Sequence, residues 1–180
     1  FSVVFQDYNL LAMPLGNNVA SAEKWDAIKA EQMLYEVGFG ERYEKKKKKL
    51  ETSLYKNFDE EGVNISGGEA QKIALARALY KDAPFIILDE PTAALTESET
   101  EGLFKVINSL RKKGVSIVYI SHRMEEIFEL CDRITILRDG EYIDTKEIKK
   151  ITMDDVVQMM IGREIGERFP KRDVKIGEEV

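Results

Sequence analysis

Two acidic residues close a short apolar run in Phe85-Ile86-Ile87-Leu88-Asp89-Glu90-Pro91. A strand of this composition in a parallel sheet delivers its last residues to the crevice beyond the strand ends, where such sheets bind ligands. Asp89 is there a candidate for holding a divalent metal, directly or through water. Glu90, one residue on, is a candidate general base or water-polarising group. A second stretch, Asn64-Ile65-Ser66-Gly67-Gly68-Glu69-Ala70-Gln71, reads as a glycine turn opening a helix. Ser66 and Glu69 have the spacing of a capping box. The glycines beside the cap let a ligand come close to the backbone, and the first amides of a helix favour an anion. His122, the only histidine, follows another apolar run at residues 115–120 and can reach the same crevice. Taken singly, these are a helix start, a polar turn and a strand-end residue. Together, and in this order, they are far more specific: phosphate-binding amides at one site, and at the other a metal-binding acid next to a possible general base.

The elements that must position these groups alternate. Residues 1–5 read as a strand, with Gln6 opening the loop behind it. Residues 14–50 read as helical, with an apolar stripe of Ala27, Ile28, Met33, Leu34 and Val37 and breaks at Gly38 and Gly40. The basic run at residues 45–49 reads as a solvated face. A helix is expected from Ser66 to about Tyr80, ended by Pro84, then a buried strand at residues 85–88. Thr96 caps a helix over residues 96–113, with Leu103, Phe104, Val106, Ile107 and Leu110 on its inner face and Gly114 as its stop. Residues 115–120 read as another buried strand, and residues 123–130 as a short helix. Asp139-Gly140 is a two-residue hairpin signal, and residues 152–161 form a last amphipathic helix. Residues 162–180 are charged and poor in apolar side chains. Helices alternating with buried strands indicate an α/β fold with a largely parallel sheet.

The chain has 180 residues, enough to bury a core, and one domain is the natural expectation. Its 43% hydrophobic and 33% charged residues are ordinary for a globular protein. A net charge of -6 argues against non-specific nucleic-acid binding. No apolar run approaches the ~20 residues that span a bilayer, and no signal peptide is seen. The single cysteine, Cys131, cannot form an internal disulfide; it fits a reducing compartment and reads as a small buried hydrophobe. The chain opens on Phe1 and enters a strand at once, so an N-terminal truncation is expected.

These motifs resemble the ATP-binding domain of ABC transporters. Ser66-Gly67-Gly68-Glu69-Ala70-Gln71 looks like the family signature, and Leu88-Asp89-Glu90-Pro91-Thr92 like its Walker B motif with the catalytic Glu. Phe5-Gln6-Asp7 looks like the Q-loop and Ser121-His122-Arg123 like the switch-histidine region. The resemblance implies a P-loop NTPase-like (RecA-like) core, incomplete at its N-terminus, with an inserted α-helical subdomain. The domain would cover residues 1–165, with the helical subdomain at about 10–80 and the core at 1–9 and 81–165. Residues 166–180 would be a linker or tail. It further implies ATP and Mg²⁺ as ligands, Glu90 and His122 as catalytic residues, and Asp89 and Gln6 at the metal. Gln6, Ser66, Gly67, Gly68, Glu69 and Gln71 would contact nucleotide, the signature residues across a dimer. The implied partners are a second ABC ATPase domain and transmembrane permease subunits, with no nucleic acid. The implied place is the cytoplasmic face of the cell membrane.

One part of that machinery is missing from the sequence. No G-x-x-x-x-G-K-[ST] occurs in it; the family places this P-loop before the Q-loop, hence before residue 1. The chain alone is therefore expected to bind its own ATP poorly and to hydrolyse it negligibly. The front half, around Ser66-Gly67-Gly68-Glu69 and Leu79-Tyr80-Lys81-Asp82-Ala83-Pro84, resembles exporter-type domains. The back half resembles the first ATPase domain of monosaccharide importers, in Ala94-Leu95-Thr96-Glu97-Ser98-Glu99, in Val118-Tyr119-Ile120-Ser121-His122-Arg123-Met124 and in Phe169-Pro170-Lys171-Arg172. The two patterns meet in residues 89–95. A recombinant or wrongly joined chain and a single divergent domain both fit. Carbohydrate import is the function favoured by the longer match. The alternatives are a peptide, drug or lipid exporter and a non-enzymatic fragment.

Overall fold

The computed structural model describes residues 1–5, 9–57 and 59–162. Gln6, the expected boundary at residue 165 and the expected tail lie outside the described residues. The chain divides into two compact units, Phe1–Leu130 and Cys131–Val180.

The first unit is built on a parallel sheet of β1 (Ser2–Val4), β2 (Phe85–Asp89) and β3 (Ser116–Ile120), in the order β1-β2-β3. Registered residues of parallel strands point the same way. Ser2, Val4, Ile86, Leu88, Ile117 and Tyr119 therefore share one face, and this face is buried on β1 and β2. The other face carries Val3, Phe85, Ile87, Val118 and Ile120. It is half-open on the first two strands and exposed on β3, where Val118 and Ile120 are each 47% exposed. The expectation of two buried strands thus holds for one face of β2 and is corrected for β3. Apolar runs signal strands meant for cover on both faces, but the described residues cover only one.

Four helices lie between β1 and β2 in sequence: α1 (Leu15–Ala20), α2 (Ala27–Glu36), α3 (Gly40–Glu44) and α4 (Gly67–Tyr80). The helical stretch expected over residues 14–50 is therefore in pieces. Ser21 and Gly38 take left-handed conformations between them, and Gly40 begins α3 instead of breaking a helix. The basic run is not uniformly solvated either. Lys46 is buried, and burial, helped by the nearby Arg42 charge, pulls its ammonium below its ordinary value despite Glu69. Lys48 and Lys49 pair with Glu61 and Glu44.

α4 begins at Ser66, whose hydroxyl accepts from the Glu69 N–H while the Glu69 carboxylate accepts from the Ser66 N–H. It buries Ala70, Ile73, Ala74, Leu75, Ala76 and Ala78 and packs against α1, α2 and β1. α5 (Glu97–Lys112) has the same kind of cap, Thr96 with Glu99, and buries the five apolar residues read from its period. The short α6 (Met124–Leu130) follows β3.

In the second unit, β4 (Arg133–Arg138) and β5 (Glu141–Glu147) form an antiparallel hairpin with a bulge between Ile136 and Leu137. Its turn is Asp139-Gly140, at φ 53 and 81. Two positive φ values make the turn that matches strand twist, and glycine takes the second at no steric cost. α7 (Met153–Ile161), capped by Thr152 and Asp155, packs on β4. No helix of the described residues is long and apolar enough to cross a membrane.

Candidate functional site

β2 and β3 run parallel in register, Asp89 beside Ile120, so the residues after them emerge together. The Glu90 N–H donates to the Ile120 carbonyl at 2.9 Å, which continues the pairing one step past β2. Glu90 itself sits at φ 45, a left-handed conformation that costs a non-glycine residue about 1–2 kcal/mol. Such strain persists where the surroundings over-determine it. Here the Glu90 Oε1 accepts from the His122 backbone N–H at 3.0 Å and lies 2.9 Å from His122 Nδ1. An ionised carboxylate only accepts, so Nδ1 is the donor in this contact. The His122 side chain is 77% exposed and that of Glu90 only 20%. The Glu90 Oε2 is buried with no hydrogen-bond partner among the described residues.

Ser66, Gly67 and Gly68 gather at the start of α4. Gly68 donates its N–H to Glu99 Oε1 at 3.1 Å, and the Ser66 hydroxyl reaches the same oxygen at 3.4 Å. Thr96 donates its N–H and hydroxyl to the other oxygen. A Cβ on Gly68 would stand 2.6 Å from Glu99 Oε1, so the glycine is what admits the carboxylate. Two of the amide and hydroxyl donors read as anion-binding thus already hold an internal carboxylate. Glu69 is occupied by the cap and by an ion pair with Arg42 at 2.6 Å. Gln71 is only 3% exposed inside the unit, away from the helix start.

The structure therefore brings Glu90 and His122 into contact, and gathers Ser66 and Gly68 around Glu99. The two groups lie at either end of the run from Glu90 to Thr96, which folds through turns closed by Ala93 N–H to Glu90 O and Leu95 N–H to Thr92 O. Among the described residues, no group of three or more His, Cys, Asp and Glu could hold a metal. Mg²⁺ is commonly held by one or two carboxylates together with substrate phosphates and water. Asp89, at the strand end, is the carboxylate placed for such a site; the unpartnered Glu90 Oε2 beside it is buried.

Sequence reasoning missed three residues. Glu126 is a buried carboxylate on α6 whose one visible signal was its position four residues before Leu130, on the helix's inner face. Buried Asn18 and half-buried Arg77 form a link. Arg77 donates to the Asn18 carbonyl at 2.8 Å and to the Asn9 carbonyl at 3.2 Å, and the Asn18 amide ties down Leu11, Met13 and Pro14. No spacing in the sequence announces that link.

Residues 1–93 match the family described as ABC transporter. The chain belongs to that family. A ribose import ATP-binding protein RbsA of Geobacillus kaustophilus (strain HTA426) is 60% identical over 115 residues, 64% of this ABC-family chain and 23% of that protein. The protein of the same name from Bacillus subtilis (strain 168) is 55% identical over 132 residues, 73% of this chain and 26% of its own. The chain spans about a quarter of the length of these curated relatives. Matched stretches this long include both the α4 cap and residues 89–95 wherever in the chain they begin. The structure of a bacterial Atm1-family ABC exporter with ATP bound superposes with a TM-score of 0.70 at 22% identity, over 94% of this chain and 29% of that one. That likeness carries the fold, a P-loop NTPase-like core with a parallel sheet.

Proposed function

We propose that this chain is the catalytic part of an ATP-hydrolysing subunit that powers carbohydrate import across a membrane. The observation that carries the enzymatic part is the contact between Glu90 and His122 at the ends of adjacent parallel strands. The identity to ribose import proteins supports the substrate class. Permease subunits, a second ATPase domain and a place at the cytoplasmic membrane face follow from the same reading.

In this mechanism Glu90 polarises a water through its carboxylate, whose Oε1 is bound to His122 and whose buried Oε2 must first be uncovered. The contact of Nδ1 with Oε1 orients the exposed His122 ring. Asp89 would hold Mg²⁺ from the strand end, and the ion when bound would supply charge neutralisation for the phosphates. Ser66 and Gly68 would donate to a phosphate held by the opposite domain. To do so they must release Glu99.

The test is hydrolysis in a fusion that places a family P-loop segment ahead of this chain. The fusion should hydrolyse ATP, and Glu90→Gln should lower the rate at least ~100-fold, the scale of general-base contributions, with ATP still bound. The chain alone should give negligible turnover. An active Glu90→Gln fusion would remove Glu90 from the mechanism.

A further inference from the structure

Glu126 is 6% exposed, yet it keeps a carboxylate inside the first unit. Burying a charge is costly unless it is hydrogen-bonded throughout, and this one is. The Thr92 hydroxyl lies 2.7 and 2.9 Å from its two oxygens. The Tyr119 hydroxyl donates at 2.7 Å, Arg123 Nη1 at 2.8 Å and the Ser121 hydroxyl at 3.3 Å. These donors come from three different segments. Thr92, itself 1% exposed, stands two residues after Glu90 in the turn that leaves β2. Tyr119 lies in β3, next to the Ile120 whose carbonyl takes the Glu90 N–H. Ser121 and Arg123 flank His122 on both sides. One carboxylate thus ties together side chains from the segments on either side of a pair that meets at 2.9 Å and includes a residue held at φ 45.

Resting on the reading of Glu90 and His122 given above, we propose that Glu126 is the positioning residue that holds the Glu90 turn and the His122 loop in register. It touches neither reacting group. It acts through Thr92 on one side and through Ser121 and Arg123 on the other. An apolar residue of similar size would fill the same volume but would leave the two loops to find their spacing separately.

His122 is the only histidine, so its ring nitrogens give one unambiguous set of NMR signals in the 180-residue chain. Glu90→Ala sets the position of those signals when the pair is broken. Glu126→Gln should move them at least half way to that position. Ile127→Val, which thins the core at the next residue, should leave them in place. Thr92→Val keeps the carboxylate and the side-chain shape, should move the signals in the same direction, and serves as the test if Glu126→Gln does not fold. Ring signals that stay put in Glu126→Gln or in its substitute, or that move as far in Ile127→Val, overturn the proposal and leave the pair intact. Signals unmoved by Glu90→Ala overturn the pair itself, and the positioning role falls with it.

Discussion

Glu99 spends its two oxygens on two helices. One closes the cap of its own helix, and the other receives the first donors of α4, thirty-one residues earlier in the chain. The Thr96 N–H and hydroxyl hold its carboxyl below the usual range, burial opposes them, and the Gly68 N–H and Ser66 hydroxyl lower it further. A folded value below the unfolded one means that the tie is fully present above an ordinary Glu value of about 4.3 and is lost as pH falls through the folded value. The Gly68 amide signal should therefore be steady from about pH 7 to about pH 5 and shift at more acid pH. In Glu99→Gln it should show no such transition. An identical acid shift in both proteins would place the titrating group elsewhere. Thr96 was legible in the sequence as the cap. The bridge to Gly68 was not legible, because it depends on how two helices meet and no local pattern records that. Glu126 escaped for the same reason: a Glu on an inner helical face looks like an ordinary surface acid until its donors from the Glu90 turn, β3 and the His122 loop are placed around it.

At the scale of elements, β2 is the strand on which the site hangs, with β1 on one side and β3 on the other. Leu88 is 1% exposed on its covered face. Leu88→Asp buries an unpaired charge and should cost several kcal/mol, enough to remove most of the stability of a domain of this size. Urea unfolding reads the loss directly, and an unchanged midpoint would mean that β2 is not central. The capped helices and the Asp139-Gly140 hairpin were readable because their signals are local: a hydroxyl three residues before an acid, or two residues that accept positive φ. The burial of β3 was misread because apolar composition says what a strand is suited to, and not what lies against it. The break at Ser21 was missed because serine gives no warning of a left-handed turn.

For the molecule as a whole, the matched family region, the importer relatives and the exporter fold all describe one kind of ATP-binding architecture. The substrate is the part least written into these residues, since fold and nucleotide machinery are shared among transporters of many kinds. Val118 and Ile120 have a different consequence, one of handling. They lie on a strand whose hydrogen-bonding edge beyond β2 carries no further strand among the described residues. An unpaired edge beside exposed apolar side chains is a template for another chain. The polypeptide should therefore sediment as a monomer when dilute and as growing assemblies when concentrated. Val118→Lys, which puts a charge on that edge, should hold it monomeric without lowering its melting temperature. Purifying this protein at high concentration then becomes a matter of guarding five residues of strand from their own copies.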